Sequence, residues 1–280
     1  MLESLPPLRE VINAHGLAAR KGLGQHFLLD LNITRKIAGF CETGEDDTVL
    51  EVGPGPGGLT RALLATGATV VTIERDPRIA PILQELNQAT GRVRAIEDDA
   101  LKADEIALGL PQGTVIASNL PYNISTELLI KWLTMRPRFW SRMVLMFQRE
   151  VGERILSGPG SKTYGRLSVI AQAASRPRLG FHLPARAFTP PPKVDSSVLI
   201  FEDDQNSAHL AALERVTQAA FAQRRKMLRQ SLKSILGSKL TETLDGLDID
   251  EQSRAETVSV DRYMALAALV AQQMAFSSDQ

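Results

Sequence analysis

Short apolar runs alternate with stretches of helical periodicity along the first half of the chain. Four runs have the length and β-branched content of buried strands: 48–52 (TVLEV), 69–73 (TVVTI), 93–96 and 114–118 (TVIAS). Helical patterns follow the first two runs, over 59–65 and 77–87. This alternation predicts a parallel sheet whose strands are joined by right-handed helical crossovers.

The pattern is less regular towards the C-terminus. Further strands are predicted over 143–147, 177–182 and 194–201, with a helix over 164–174. The polar run EDDQNSAH follows Phe201 and indicates a domain boundary. Beyond this boundary, helical periodicity covers 208–236, 239–244 and 260–275.

Together these patterns predict an α/β domain with a mostly parallel, seven-stranded sheet, followed by a small all-helical domain. The first domain is predicted to span 1–203, including an N-terminal arm over 1–30, and the second to span 204–280. A chain of 280 residues is long enough to form one α/β core and a smaller second unit.

The composition is that of a soluble globular protein. Hydrophobic residues make up 44% of the chain and charged residues 23%, and no apolar run approaches the roughly 20 residues of a membrane span. The N-terminal sequence has no apolar signal core, and the single cysteine, Cys41, excludes an intramolecular disulfide. We therefore expect a cytoplasmic protein. Because the formal net charge is zero, binding to nucleic acid would depend on a local cluster of cations.

A glycine-rich block follows the first predicted strand. In residues 51–60 (EVGPGPGGLT), Gly53, Gly55 and Gly58 have the spacing of a dinucleotide-binding fingerprint, G-x-G-x-x-G. Glycines at a strand–helix turn let the backbone approach a ligand closely, and the helix N-terminus offers free N–H groups. We expect Gly53 and Gly55 to contact a cofactor. A tight turn without a ligand has the same spacing, so the block alone is a weak indication.

Carboxylates follow the second and third predicted strands. Glu74 ends the second strand, where a carboxylate can accept hydrogen bonds from both hydroxyls of a ribose. Asp76 is an alternative, although its place before Pro77 is typical of a helix cap. Asp99 or Asp98 could hold an adenine amino group, or both could simply form a turn. These features predict an adenosine-containing cofactor without choosing between NAD and S-adenosylmethionine.

The end of the fourth predicted strand indicates the chemistry. Residues 118–125 (SNLPYNIS) lie at the carboxyl end of a strand, where open α/β sheets bind their ligands. The side-chain oxygen of Asn119 and the carbonyl of Leu120 can accept the two N–H groups of an exocyclic adenine amine, and Pro121 fixes that carbonyl. Tyr122 offers a flat face for a base. The segment favours methyl transfer from S-adenosylmethionine to adenine, with a strand-end turn as the alternative.

Basic residues concentrate in one segment of the predicted helical domain. Within 221–233 (FAQRRKMLRQSLK), the cations are Arg224, Arg225, Lys226, Arg229 and Lys233. On a continuous helix Arg225, Arg229 and Lys233 would share one exposed face at i, i+4 and i+8. We expect contact with RNA phosphates, although a solvated charged face is the alternative. Further candidates are Arg9, Arg20, Lys21, Arg136, Arg138, Arg142 and Arg149.

Seven sequence blocks resemble those of the ribosomal RNA small-subunit adenine dimethyltransferases, and they span nearly the whole chain. The blocks are 21–30 (KGLGQHFLLD), 51–60, 74–76 (ERD), 99–101 (DAL), 119–125 (NLPYNIS), 188–196 (FTPPPKVDS) and 221–226 (FAQRRK). The resemblance implies a Rossmann-like class I methyltransferase fold. It also implies dimethylation of two adjacent adenosines near the 3′ end of 16S rRNA, with S-adenosylmethionine as donor and S-adenosylhomocysteine as product.

The resemblance also assigns site residues. It implies cofactor contacts at His26, Leu28, Gly53, Glu74, Asp99 and Asn119. It implies base contacts from Asn119, Leu120, Pro121 and Tyr122, with Phe188 closing on the other face of the base. Members of this family commonly have Asn at the position of His26, so we expect a similar polar contact from the imidazole.

The resemblance implies 16S rRNA within an immature small ribosomal subunit as the partner, and we expect a monomer. No metal site is predicted, because Asp, Glu, His and Cys do not cluster at ligand spacing. The alternatives are a large-subunit rRNA adenine methyltransferase and an rRNA-binding assembly factor for which methylation is secondary. An NAD-dependent dehydrogenase is a third alternative, but no histidine occupies an obvious hydride-handling position.

Overall fold

The computed structural model describes residues 5–19, 24–204, 208–223 and 225–278. The chain divides into two compact units: the first contains 1–152 and 178–202, and the second contains 153–177 and 203–280. One boundary between the units falls beside the predicted division at 203/204. The sequence pattern does not indicate that 153–177 groups with the C-terminal residues, and the division into domains at 203/204 stays a prediction.

Seven of the described strands form one sheet in the order β4–β3–β2–β5–β6–β9–β7, and β1 pairs with β8 in a second, two-stranded sheet. The strands are β1 (Phe27–Leu28), β2 (Thr48–Val52), β3 (Thr69–Glu74), β4 (Val93–Glu97), β5 (Thr114–Ser118), β6 (Trp140–Gln148), β7 (Ser175–Leu183), β8 (Phe188–Thr189) and β9 (Ser196–Asp203). Four strand pairs, β2–β3, β2–β5, β3–β4 and β5–β6, are parallel, and β6–β9 is antiparallel. The predicted Rossmann-like, mostly parallel, seven-stranded sheet is confirmed.

The helices lie between and after these strands. They are α1 (Leu8–Ala14), α2 (Leu31–Cys41), α3 (Gly58–Leu64), α4 (Ala80–Thr90), α5 (Ser125–Thr134), α6 (Arg149–Leu156), α7 (Arg166–Ala174), α8 (Leu210–Phe221), α9 (Leu228–Ser231), α10 (Lys233–Leu236), α11 (Leu240–Gly246) and α12 (Val260–Ser278). The helical patterns over 59–65, 77–87 and 164–174 are confirmed within a few residues, whereas α2 and α5 were not predicted. In the described part of the chain, no helix is both long and apolar enough to cross a membrane.

Burial explains why the strand patterns could be recognised. All five residues of β5 are buried, and so are the last four residues of β2. A parallel strand covered on both faces has a continuous apolar run rather than an alternating one, and the runs TVIAS and TVLEV have this character. Residues of both strands, among them Val49 and Val115, accordingly belong to the hydrophobic core of the first unit.

The predicted continuous helical segment over 208–236 is wrong. Helix α8 ends at Phe221, and Met227 forms an isolated antiparallel β-bridge with Arg254. Two backbone N–H groups then donate across to the 251–254 segment: Leu228 N to Ser253 O and Arg229 N to Glu251 O, both at 2.9 Å. These long-range bonds replace the bonds to the preceding turn that a continuous helix would need, so only the short helices α9 and α10 follow.

Candidate functional site

A cleft opens at the carboxyl ends of β2, β3, β4 and β5 in the first unit. It holds about 1150 Å³ of empty space, its open mouth included. Because the strands are parallel, the segments that follow them meet at one edge of the sheet, as expected for a ligand site in an open α/β fold. The predicted site residues brought together in its lining are His26, Leu28, Gly53, Gly55, Glu74, Asp99, Asn119, Leu120, Pro121 and Tyr122.

The glycine block forms the floor of the cleft between β2 and α3. Gly55 has a φ of +52°, and a Cβ there would lie 3.2 Å from the ring of Phe27. At Gly58, a Cβ would lie 2.7 Å from the carbonyl oxygen of Leu28, which is too close for any side chain. Glycine is therefore required for the turn and for the close approach of β1 to α3. Helix α3 has no side-chain N-cap, which leaves its first N–H groups beside the cleft.

Glu74 ends β3 with a partly satisfied carboxylate. Its Oε1 accepts a hydrogen bond from the backbone N–H of Asp76 at 2.8 Å. Burial raises the pKa of Glu74, and this rise is opposed by backbone N–H groups at Asp76, Arg75 and Gly55. The carboxylate retains acceptor capacity for further donors, so its place in the lining fits the predicted contact with ribose hydroxyls.

Asp76 has the structural role that its position before Pro77 indicated. Its side chain accepts a hydrogen bond from the backbone N–H of Arg78 at 3.2 Å and caps the short 3-10 helix over Pro77–Ile79. The Arg78 guanidinium, which also donates to Asp76, lowers the pKa of this carboxyl to about 2. Asp76 does not belong to the residues that line the cleft.

Both candidate carboxylates after β4 line the cleft and also stabilise a turn. Oδ1 of Asp99 accepts a hydrogen bond from the backbone N–H of Leu101 at 3.1 Å, and Oδ1 of Asp98 accepts one from Asp99 N at 2.7 Å. Oδ2 of Asp99 lies 3.6 Å from the exposed guanidinium of Arg75. The turn and the ligand roles therefore coexist at this position, and the choice between Asp98 and Asp99 stays open.

Asn119 is oriented by one hydrogen bond. Its side chain contacts the backbone carbonyl of His26 at 3.0 Å. Because a carbonyl oxygen only accepts hydrogen bonds, the contacting atom is Nδ2, and the amide presents Oδ1 as its acceptor. No other hydrogen bond of this side chain is found among the described residues. Asn119 thus offers a fixed acceptor at the carboxyl end of β5, as its predicted role requires.

Tyr122 and His26 form an aromatic pair at the cleft. Their ring centroids lie 5.7 Å apart with an interplanar angle of 27°. The Tyr122 hydroxyl shares a 2.6 Å hydrogen bond with Oγ of Ser196, and burial raises its pKa. Nδ1 of His26 lies 2.8 Å from the carbonyl oxygen of Pro190, so Nδ1 carries the proton in this bond. His26 is therefore anchored to the segment that joins β8 to β9, and Tyr122 is anchored to the first residue of β9.

Phe188 is not brought to the cleft. It lies opposite Leu28 in the β1–β8 pair and is only 3% exposed, as part of the hydrophobic core of the first unit. Phe188 lies away from the cleft because its apolar ring is buried when β8 pairs with β1. Its predicted contact with a base stays a prediction, and the contact observed in the structure is with β1, the strand that carries Leu28.

The lining of the cleft also contains a buried carboxyl, that of Glu51, which the sequence patterns did not single out as a site residue. Glu51 is 1% exposed, and its Oε2 accepts a 2.6 Å hydrogen bond from Oγ1 of Thr60. Burial raises its pKa to about 8, although the Thr60 bond opposes this rise. Its place one residue before the end of β2 could have identified it, since a glutamate is unusual within a fully buried strand.

The basic segment of the second unit does not form the predicted stripe. Arg225 and Lys226 lie in the turn before α9, Arg229 lies in α9, and Lys233 begins α10. These four side chains are exposed, and Arg224 lies outside the described residues. The interpretation as an i, i+4, i+8 row is wrong because the helix is broken. Contact between these cations and RNA stays a prediction.

The further candidate cations differ in their surroundings. Arg142 near the amino end of β6 lies 2.6 Å from Glu42, and Arg138 stacks over Trp140 at 4.6 Å. The amino end of this strand is opposite the edge of the sheet that forms the cleft. Arg20 and Lys21 fall outside the described residues. In the described ranges there is no group of three or more His, Cys, Asp or Glu that could hold a metal ion.

Comparisons with known proteins identify the family to which the chain is similar. Residues 16–272 match the family model described as ribosomal RNA adenine dimethylase. A ribosomal RNA small subunit methyltransferase A from Phenylobacterium zucineum is 53% identical over 269 residues, which cover 95% of this chain and 93% of the relative. The protein of the same name from Sinorhizobium fredii is 55% identical over 273 residues, covering 95% of this chain and 90% of that relative.

Solved structures show the same fold. A dimethyladenosine transferase from Plasmodium falciparum is 26% identical, with a TM-score of 0.77 and coverage of 88% of this chain and 98% of that chain. The 23S rRNA methyltransferase ErmE is 24% identical, with a TM-score of 0.65 over 88% of this chain and 100% of that chain, which shows the fold alone. The fold is that of a class I methyltransferase, and the chain belongs to the ribosomal RNA adenine dimethylase family.

Proposed function

We propose that this protein uses S-adenosylmethionine to dimethylate the exocyclic nitrogens of two adjacent adenosines near the 3′ end of 16S rRNA. The observation that carries the proposal is the cleft, where the Asn119–Tyr122 segment meets the glycine turn and Glu74. In this arrangement, acceptors for an adenine amine lie beside residues that suit a nucleoside cofactor. The relatives named ribosomal RNA small subunit methyltransferase A support the substrate class.

The lining fits the cofactor that the family and the fold imply. Glu74 uses Oε1 for the backbone N–H of Asp76, and its remaining acceptor capacity suits the two hydroxyls of a ribose. Gly55 has the positive φ that favours glycine, and a strand–helix turn built of glycines lets the backbone approach a ligand closely. Asp98 and Asp99 offer acceptors for an adenine amino group. When bound, S-adenosylmethionine supplies a methyl group made electrophilic by the attached sulfonium.

The protein's contribution to the reaction is to position the attacking amine. The lone pair of an exocyclic adenine amine is delocalised into the ring. Acceptors at Oδ1 of Asn119 and at the carbonyl of Leu120 hold the two N–H groups and favour a pyramidal nitrogen. Pro121 restricts the backbone beside that carbonyl, and Tyr122 offers its ring as a stacking surface. Most of the rate enhancement then comes from alignment rather than from a strong base.

The substrate in this proposal is rRNA within an immature small ribosomal subunit, bound by a monomer in the cytoplasm. The exposed cations Arg225, Lys226, Arg229 and Lys233 would contact phosphates as part of a helical RNA-binding domain over 204–280. Exposed cations suit the phosphate backbone, which presents charge without a sequence pattern.

The test is transfer of radiolabelled methyl groups from S-adenosylmethionine to small subunits that lack the 3′-end adenine methylations, followed by nucleoside analysis. We expect labelled N6,N6-dimethyladenosine in 16S rRNA. Label that appears only in large-subunit RNA would contradict the proposed substrate and would show that the protein methylates large-subunit rRNA instead. Absence of label from every RNA, with binding to small subunits retained, would favour an assembly factor over an enzyme.

A further inference from the structure

We infer that Lys131 is a positioning residue, which ties the loop that carries Asp99 to the helix that follows the Asn119–Tyr122 segment. Neither wall of the cleft contains Lys131 itself, because this residue lies on α5 behind the lining. The inference rests on the proposed function, since it concerns the nucleoside end of the proposed cofactor site.

The Lys131 ammonium group is saturated by acceptors from one loop. Nζ donates to the carbonyl oxygen of Ala100 at 2.9 Å and to that of Ala103 at 2.5 Å. Its third acceptor is Oε1 of Glu105, at 2.9 Å. An ammonium group has three donors, so every donor of Lys131 is used on the 100–105 segment. This arrangement specifies one position of the loop relative to α5.

Glu105 adds a second attachment to the same helix. It is 0% exposed, and its Oε1 also accepts a 2.7 Å hydrogen bond from Nε1 of Trp132. The fully buried Trp132 follows Lys131 directly on α5. A buried carboxylate persists only when it is paired and hydrogen-bonded, so loop and helix constrain each other through this pair.

The loop held by Lys131 begins at the cleft. The backbone N–H groups of Lys102 and Ala103 donate to the carbonyl oxygen of Asp99 at 2.8 and 2.9 Å, which forms a single helical turn. Lys131 donates to the carbonyls of Ala100 and Ala103 in this turn, where a cation is favoured. Displacement of the turn would therefore move the Asp99 carboxylate and the cleft-lining residue Ala100.

The other end of the connection leads to the base-binding segment. Helix α5 begins at Ser125, whose Oγ donates to the carbonyl oxygen of Tyr122 at 3.1 Å. Lys131 thus connects the two sides of the cleft. On one side is the turn that would hold the adenine of the cofactor. On the other side is α5, which follows the segment that would hold the target base. This connection fixes the distance between the cofactor site and the base site. Alignment of the methyl group with the amine requires such a fixed distance.

The first test is calorimetric titration of the full chain with S-adenosylhomocysteine. Lys131→Met keeps the aliphatic stem and removes the donors, and we expect the Kd to rise about tenfold. We expect the KM for S-adenosylmethionine to rise by a similar factor while kcat changes less. The matched control is Lys102→Met in the same loop, because Lys102 is exposed and its side chain has no hydrogen bond within the described ranges. The control should bind like the unmodified protein.

A second variant separates positioning from folding. Lys131→Met leaves the Glu105 carboxylate buried without its cation, so the single variant can fail to fold. Lys131→Met combined with Glu105→Gln removes both charges and keeps an acceptor for Trp132. We expect this double variant to melt cooperatively and still to bind S-adenosylhomocysteine about tenfold more weakly. Lys131→Arg, which retains donors and charge, should recover part of the affinity.

The outcomes distinguish this inference from the proposed function. Unchanged Kd and KM in a folded double variant would overturn the role of Lys131 and leave the proposed function intact. Failure of the unmodified protein to bind S-adenosylhomocysteine would instead overturn the proposed function. If the Lys102→Met control loses as much affinity for S-adenosylhomocysteine as the double variant, the loss is a general effect of loop charge. This result would also overturn the role of Lys131.

Discussion

The cleft of the first unit and the basic segment of the second unit hold their functional side chains in opposite ways. In the cleft, Asn119 is oriented by the carbonyl of His26, and Tyr122 is anchored to Ser196. In the basic segment, Arg229 and Lys233 are exposed, and no hydrogen bond of their charged groups is found among the described residues. One region is fixed before a ligand arrives, whereas the other can adapt to its ligand.

This difference corresponds to two kinds of recognition. Methyl transfer needs the attacking nitrogen to lie within a narrow range of positions, so its acceptors must be preorganised. Phosphate contacts depend mainly on charge and on the release of counterions, so they tolerate flexible side chains. Substitutions in the cleft should therefore change catalysis or cofactor affinity sharply, and substitutions in the basic segment should change RNA affinity gradually.

The largest effect is expected for Asn119→Ala. This change removes one of two acceptors for the reacting amine, and loss of a preorganised partner for the transition state typically costs about 10²–10³-fold in kcat. RNA affinity should stay nearly constant, because the basic segment is unchanged. Steady-state methylation of small subunits and an RNA-binding titration measure the two quantities separately.

Asn119→Asp is the matched variant for this prediction. It keeps the acceptor oxygen and removes the Nδ2 donor that orients the side chain towards His26 O. We expect its kcat to fall between those of Asn119→Ala and the unmodified protein. Equal losses of RNA affinity and kcat in Asn119→Ala would contradict the role of this residue at the reacting amine.

The next effect is expected for Glu74→Gln. The change removes the charge that strengthens hydrogen bonds from two ribose hydroxyls, and such bonds contribute about 1.5–3 kcal/mol each. We expect the Kd for S-adenosylhomocysteine to rise by about 10–100-fold, measured by calorimetry. The control is Glu97→Gln, since Glu97 is the register partner of Glu74 on β4 and lies outside the cleft. Similar losses of affinity for S-adenosylhomocysteine in both variants would show that Glu74 does not contact the ribose.

The site could be predicted from the sequence where its geometry is local. The glycine turn, Glu74 and Asn119 each follow a strand that is apparent from its own apolar run, and parallel topology brings their ends together. The burial of Phe188 and the environment of the Glu51 carboxyl could not be predicted in this way. The burial of Phe188 depends on pairing with Leu28, which lies far away in the sequence, and the environment of Glu51 depends on Thr60 and on the neighbouring strands.

The basic segment shows the limit of periodicity. Its apolar spacing fits a helix, and Leu228 and Leu232 are indeed buried. The backbone nevertheless leaves the helix, because Leu228 N and Arg229 N donate to carbonyls of Ser253 and Glu251. Such partners lie outside any local window, so the burial of the apolar positions was predictable and the arrangement of the cations was not.

A smaller effect is expected on the pH dependence of folding through Glu51. Its folded pKa is about 8 and its ordinary value is 4.5, so the folded chain keeps a proton that the unfolded chain releases between these values. Stability should therefore fall as pH rises through this window, by about 1.4 kcal/mol per pH unit at most. Glu51→Gln carries no titrating proton, and its side-chain oxygen can still accept from Thr60.

Chemical denaturation at several pH values between 5 and 8 measures this contribution. We expect the stability of Glu51→Gln to rise, relative to the unmodified protein, as the pH increases. The control is Glu127→Gln on α5, because Glu127 is exposed. A constant difference between Glu51→Gln and the unmodified protein across the range would show that Glu51 ionises normally in the folded state.

The smallest effect is expected for Arg225→Ala combined with Arg229→Ala. Each cation that contacts a phosphate adds about 1 to the slope of log affinity against log salt concentration. The double variant should bind a 3′-terminal 16S rRNA fragment more weakly, with a slope shallower by about 1.5–2. The kcat at saturating RNA should change little, because these side chains belong to the second unit and do not line the cleft.

Arg94→Ala combined with Lys102→Ala is the matched control, since both residues are exposed cations of the first unit. If the basic segment carries the phosphate contacts, the salt slope should change in the Arg225/Arg229 variant and stay constant in this control. Equal changes in both variants would mean that RNA binding depends on the total charge of the protein. An unchanged slope in the Arg225/Arg229 variant would mean that these two side chains do not contact phosphates. Because all four cations are exposed, their removal should leave the melting temperature nearly unchanged, so a change in slope can be assigned to RNA contact rather than to folding.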